Sequence, residues 1–171
     1  MENLTFTDDE LQSLAERLGD WLKQHDMMLA TAESCTGGWV GEVVTSVPGS
    51  SRWYDRGFIT YTNQAKRDML GVSTDVLARH GAVSAQTARA MAEGALASSR
   101  AQAVLAITGI AGPGGGSPEK PVGTVWFAWA AKDREPVVVV EHFSGDRNEI
   151  RRQAVVRALT GMLEYLGAPV S

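Results

Sequence analysis

Four groups of residues in this 171-residue chain combine types and spacings that can carry chemistry. The first is Ala30-Thr31-Ala32-Glu33-Ser34-Cys35-Thr36-Gly37-Gly38, where an apolar run passes into a polar turn with two glycines. A turn of this kind between a buried strand and a helix offers hydroxyls, backbone N–H groups and the positive end of a helix dipole, a combination that attracts phosphate. The same residues also suit an ordinary helix cap made by Ser34 or Thr36. The second group is the loop from Thr108 to Gly123. Six of the chain's 18 glycines lie at 109–123. Glycines let a backbone approach a ligand closely; a flexible surface loop is the alternative. The loop is neither a P-loop nor a dinucleotide fingerprint, because no Gly-Lys-Ser/Thr follows and a proline-broken stretch stands where a helix should begin.

The third group is Ser50 and Ser51 after Pro48-Gly49, with Tyr61 on an expected strand and Lys66 fifteen residues beyond Ser51. A serine attacks an amide only if a base takes its proton. A partly desolvated lysine can be that base, and a tyrosine can relay or hold the proton. Spacing alone does not make the three converge; a capping serine, a strand tyrosine and a solvated lysine would read the same. The fourth group is Arg147, Arg151 and Arg152. Arg147 and Arg151 share a helix face by their i,i+4 spacing, which suits a phosphate, although a solvated face is the simpler expectation. Cys35 lies near a helix start, where a thiolate is stabilised, but no histidine is near it in sequence and a lone cysteine is commonly a small core residue. His25, His80 and His142 are too scattered for metal ligation, so no metal is expected.

The elements that must position these residues follow from periodicity. Leu11, Leu14, Ala15, Leu18, Trp21 and Leu22 form one stripe of a first helix. Thr7 and Glu10 supply its capping box, and it should end near Gln24–His25. Met28 to Ala32 reads as a buried strand, and Trp39, Val40, Val43 and Val44 as a helix stopping before Pro48. Gly57 to Thr62 reads as a strand, Val72 to Arg79 as a short helix, and Ser84 to Ala97 as an alanine-rich helix capped by Ser84. Ala103 to Thr108 is a second buried strand. Val122–Ala131 and Pro136–Phe143 form a strand pair across the turn Lys132-Asp133-Arg134-Glu135. A last helix starts at Asp146 with Glu149 three positions on, and Ile150, Ala154, Ala158, Met162 and Leu166 make its apolar face. Helices and strands alternate early and a hairpin lies late. The expected fold is therefore α/β, one domain over 1–171 with a mixed sheet.

Composition narrows the function. The chain is 44% hydrophobic and 21% charged, an ordinary globular balance. Its net charge of −4 disfavours nucleic acid as a partner. No membrane span and no signal-peptide core are read, and one cysteine excludes an internal disulfide, so a cytoplasmic location is expected.

Motifs in fixed order then add a resemblance. They are Ala32-Glu33-Ser34-Cys35-Thr36-Gly37-Gly38, Pro48-Gly49-Ser50-Ser51, Gly57-Phe58-Ile59-Thr60-Tyr61, Asn63-Gln64-Ala65-Lys66, His80-Gly81-Ala82-Val83-Ser84, Thr108-Gly109-Ile110-Ala111-Gly112-Pro113 and Lys120-Pro121-Val122-Gly123-Thr124-Val125. Together they resemble the C-terminal domain family of the competence/damage-inducible protein CinA, over about residues 8–166. The stand-alone members are nicotinamide-nucleotide amidases. The resemblance implies a three-layer α/β/α fold and hydrolysis of nicotinamide mononucleotide to nicotinate mononucleotide and ammonia. It further implies a serine–lysine pair with an assisting tyrosine, and no cofactor. On the motif positions those roles fall to Ser51, Lys66 and Tyr61, with the adjacent Ser50 an equal choice on paper. Glu33, Ser34, Thr36, Gly37 and Gly38 are then expected at the phosphate or ribose. Thr108, Gly109 and Gly112 are expected at the nucleoside, and a homo-oligomer, a dimer, is expected. Two rival readings remain: a nucleotide sensor without catalysis, and a partner-binding domain using Trp39, Trp53, Trp126 and Trp129.

Overall fold

The computed structural model describes residues 5–171. Helix α1 (Asp8–Gln24) starts with the expected capping box: Thr7 Oγ1 accepts from Glu10 N–H, and Glu10 accepts from Thr7 N–H. Strand β1 (Leu29–Glu33) is buried throughout and leads to α2 (Trp39–Thr45). A single 3-10 turn, Ser50–Arg52, precedes β2 (Tyr54–Ile59). Three helices follow: α3 (Asn63–Leu70), α4 (Thr74–His80) and α5 (Ala85–Ala97). Strand β3 (Ala103–Gly109), the hairpin of β4 (Thr124–Ala131) and β5 (Arg134–His142), and α6 (Arg147–Leu166) complete the order.

The sheet runs β2-β1-β3-β4-β5, with β2, β1 and β3 parallel and β4 and β5 antiparallel. It is the mixed sheet expected, with helices on both faces. Alternation along the strands builds two different cores. Leu29, Leu105, Ile107, Phe127 and Trp129 point to one face, where α1, α2 and α6 cover them. Ala30, Ala32, Val104, Ala106, Ala128 and Ala130 point to the other, under α5. Small strand residues let α5 lie close, and Gly94 on α5 meets Leu70 so tightly that an added Cβ would stand 2.0 Å from its carbonyl oxygen. Trp53 and Trp129 are wholly within the first core, and Trp129 Nε1 donates to Ala158 O at 3.0 Å.

Two expectations shift. Strand β2 starts at Tyr54, not Gly57, and ends at Ile59; Thr60 to Thr62 leave the sheet because Thr62 caps α3 through Ala65 N–H. Helix α3 itself went unread, although Thr62 before it and Gly71 after it (φ +66°) are its start and stop signals. No helix among the described residues is long and apolar enough to cross a membrane.

Candidate active site

Strand order reverses at β1: its connection through α2 goes to β2 on one side, while β3 lies on the other. In open α/β sheets the crevice at the carboxyl ends of such strands is where ligands bind. Here it is a pocket of about 320 Å³ lined by Ser34, Tyr61, Lys66, Thr108, Gly112 and Arg147 among others. That volume lies at the lower end of the range for small-molecule sites, roughly 300–1,000 Å³.

Ser34 is the first residue past β1. Its N–H donates to Ile107 O at 3.0 Å, extending the β1–β3 ladder by one bond and fixing the residue. Lys66 lies in the first half of α3, on its inner side, with 1% of its surface exposed. Its Nζ donates to Thr60 O at 2.7 Å and meets Ser34 Oγ at 2.9 Å. Burial costs an ammonium its hydration, and this brings the Lys66 pKa down to about 8. Among the described residues no carboxylate lines the pocket to oppose that effect.

Tyr61 lines the same pocket at its exposed side. Its hydroxyl oxygen accepts from Arg147 Nη2 at 3.0 Å, and Arg147 Nη1 donates to Gly112 O at 2.7 Å. One guanidinium thus joins the β2–α3 connection, the glycine loop and the start of α6. Thr108 is spent on architecture, donating from Oγ1 to Ala82 O at 2.8 Å. Gly109 lines the pocket where a Cβ would strike Val125 at 2.7 Å, so glycine is needed there for β3 to sit against β4.

Other expected residues are elsewhere or otherwise engaged. Ser50 and Ser51 precede β2, at the edge of the sheet where β1 begins, since Tyr54 is paired with Leu29. Lys66 follows β2. The six residues of β2 lie between, about 20 Å at ~3.3 Å per residue. Ser51 and Lys66 therefore do not meet, and it is Ser34, expected at the phosphate, that meets the lysine. Glu33 is not among the residues that line the pocket. Its Oε1 accepts from Thr36 Oγ1 at 2.7 Å and Val40 N–H at 3.0 Å, and its Oε2 from Gly41 N–H at 3.1 Å, so it caps α2 from inside. Thr36 is consumed by the same network, and neither Gly37 nor Gly38 reaches the pocket lining. Both glycines hold positive φ, +62° and +99°, and shape the turn. Arg151 fastens that turn through Cys35 O and Thr36 O, and Arg152 holds Phe6 O and Asp8; these two are ties within the fold, not a solvated face. Cys35 is buried, and desolvation pushes its thiol up to about 12, so it stays protonated. Of the three arginines read as a phosphate candidate or a solvated face, Arg147 alone lines the pocket.

This is an α/β domain with a serine and a desolvated lysine in contact beside a pocket at the switch point of a mixed sheet. The chain belongs to the CinA C-terminal domain family, whose family model matches residues 11–166. It is 54% identical over 153 residues to the nicotinamide-nucleotide amidohydrolase PncC of Escherichia coli K12, covering 90% of this chain and 93% of that one. It is 48% identical over 158 residues to the PncC of Pseudomonas putida, covering 91% and 97%. The crystal structure of a competence/damage inducible protein, CihA, from Agrobacterium tumefaciens superposes with a TM-score of 0.89 at 48% identity, covering 96% of this chain and 98% of that one.

Proposed function

We propose that the protein hydrolyses the carboxamide of nicotinamide mononucleotide, with Ser34 as nucleophile and Lys66 as its base. The observation that carries this reading is the 2.9 Å contact between Ser34 Oγ and a lysine whose pKa burial lowers to about 8 inside a pocket. The name of the relatives supplies the substrate.

Neutral Lys66 has two N–H bonds and one lone pair. Thr60 O takes one N–H and so orients the amine. The lone pair accepts the Ser34 proton as Oγ attacks the carboxamide carbon. The negative charge moves onto the carboxamide oxygen. The N–H of Cys35, which follows the nucleophile and lines the pocket, is the donor offered to it. Collapse of the tetrahedral intermediate breaks the C–N bond, and the nitrogen leaves as ammonia with the proton returned by Lys66. The Tyr61 oxygen accepts from Arg147, so its O–H points elsewhere as a hydrogen-bond donor. Water then enters, Lys66 takes one of its protons as the oxygen adds to the ester carbon, and Lys66 returns that proton to Ser34 Oγ as the C–O bond to serine breaks and the nicotinate product leaves.

The test is ammonia release from nicotinamide mononucleotide by wild type, Ser34→Ala and Ser51→Ala. Ser34→Ala is expected to lose at least about 1,000-fold in kcat while Ser51→Ala stays within about twofold. Release lost in Ser51→Ala and kept in Ser34→Ala would overturn the assignment. No release by wild type would overturn the activity.

A further inference from the structure

We infer that Arg147 recognises the phosphate of the substrate and thereby separates nucleotides from nucleosides; this rests on the amidohydrolase reading above. Among the described residues the pocket carries two cationic side chains, Lys66 and Arg147. Lys66 is buried and occupied by Ser34 and Thr60. Neighbouring cations are committed outside it: Arg151 to Cys35 O and Thr36 O, and Lys120 Nζ to His80 O at 2.8 Å. Arg147 differs from them. It is exposed, and its hydrogen bonds to Gly112 O and Tyr61 Oη use two of the guanidinium's five N–H donors. The Gly112 carbonyl holds the fork in place, so little side-chain freedom is left to lose on binding an anion.

Polarity along the pocket agrees. The reacting pair is at the buried end and Arg147 at the solvent side. A nucleotide entering carboxamide first would leave its phosphate at that side, where a planar fork can bind two oxygens. The position also gains nothing for the helix. Asp146 caps α6 through Glu149 N–H, and Glu149 lies in the first turn, both as the helix dipole prefers. Arg147, the first residue of α6, opposes that dipole.

Binding of the two products, nicotinate mononucleotide and nicotinate riboside, measured by calorimetry on wild type, Arg147→Met and Arg147→Lys, tests this without turnover. Wild type is expected to bind the nucleotide about 10- to 100-fold more tightly than the riboside. Arg147→Met is expected to erase that preference, and Arg147→Lys to keep part of it, since charge remains and the fork is lost. An equal loss for both products would make Arg147 only a strap for Tyr61 and overturn the inference, as would a preference that survives in Arg147→Met, or no binding of either product by wild type. Ammonia release is read separately. Release with an Arg147-independent preference refutes the inference alone; an Arg147-dependent preference without release refutes the amidohydrolase reading alone.

Discussion

Replacing Lys66 with methionine should make the protein inactive and, at neutral pH, more stable. The ordinary lysine value is 10.5, and burial lowers it to about 8 here. At pH 7 about one folded molecule in eleven then holds a neutral Lys66, against roughly one in 3,000 for an unperturbed lysine. Below pH 8 the fold carries a buried ammonium that the unfolded chain would keep in water. Between pH 8 and 10.5 the unfolded chain alone stays protonated, so stability rises with pH through that window. The cost of the charge is about 3 kcal/mol at pH 7 and falls to about 1.5 kcal/mol at pH 9.5. Methionine removes this cost but leaves Thr60 O without its donor, a loss of about 1–2 kcal/mol. The net gain at pH 7 is about 1–2 kcal/mol, or roughly 2–8 °C in Tm for a domain of this length. Denaturant unfolding at pH 7 and pH 9.5 checks it: the advantage of Lys66→Met over wild type should shrink by about 2 kcal/mol between them. In parallel, kcat/KM of wild type should rise about tenfold per pH unit and level off near pH 8, and Lys66→Met should lose at least about 100-fold. A stability difference that does not change with pH would refute the desolvation argument. A rate profile flat from pH 6.5 to 9.5 would refute Lys66 as the base.

Glu33→Gln keeps one carbonyl oxygen, which can still accept from Thr36 Oγ1 and Val40 N–H, and puts an amide N–H₂ against Gly41 N–H. It should cost about 3 kcal/mol and lower Tm by roughly 6–12 °C; a Tm within 2 °C of wild type, about the shift of 1 kcal/mol, would show that the carboxylate is not the cap of α2. Cys35, pushed from 9.0 to about 12, should react with iodoacetamide at pH 8 about 1,000-fold more slowly than a free thiol. Alkylation of the native protein at the rate of the unfolded chain would refute its burial.

Much of the fold was legible because its signals are local. The Thr7–Glu10 capping box, the Ser84 cap and the Asp146–Glu149 pair each need only a few residues, and each forms as read. The boundaries that moved depend on distant partners. Tyr54 to Arg56 enter β2 because β1 pairs with them, a tertiary cause that no window on residues 54–62 contains. Helix α3 was hidden by its polarity, since Asn63-Gln64-Ala65-Lys66 shows little apolar periodicity and its one buried cation looks like a solvent residue in sequence.

The pairing of Lys66 with Ser34 in place of Ser51 has the same physical origin. Ser51 and Ser34 are both serines in turns near glycine, and Ser51 is nearer to Lys66 in sequence, fifteen residues against 32. Topology reverses that order. In a parallel β–α–β unit the chain must return to the starting edge before it enters the second strand, so the turn before β2 lies at the opposite edge from the end of β1. Residues that follow two adjacent parallel strands share an edge; a residue that precedes one does not. Ser34 follows β1 and Lys66 follows β2, and the parallel pairing of Glu33 with Ile59 brings those two ends side by side. Any serine assigned to Lys66 must therefore come after a parallel strand, a condition that Ser34 meets and that Ser50 and Ser51 cannot.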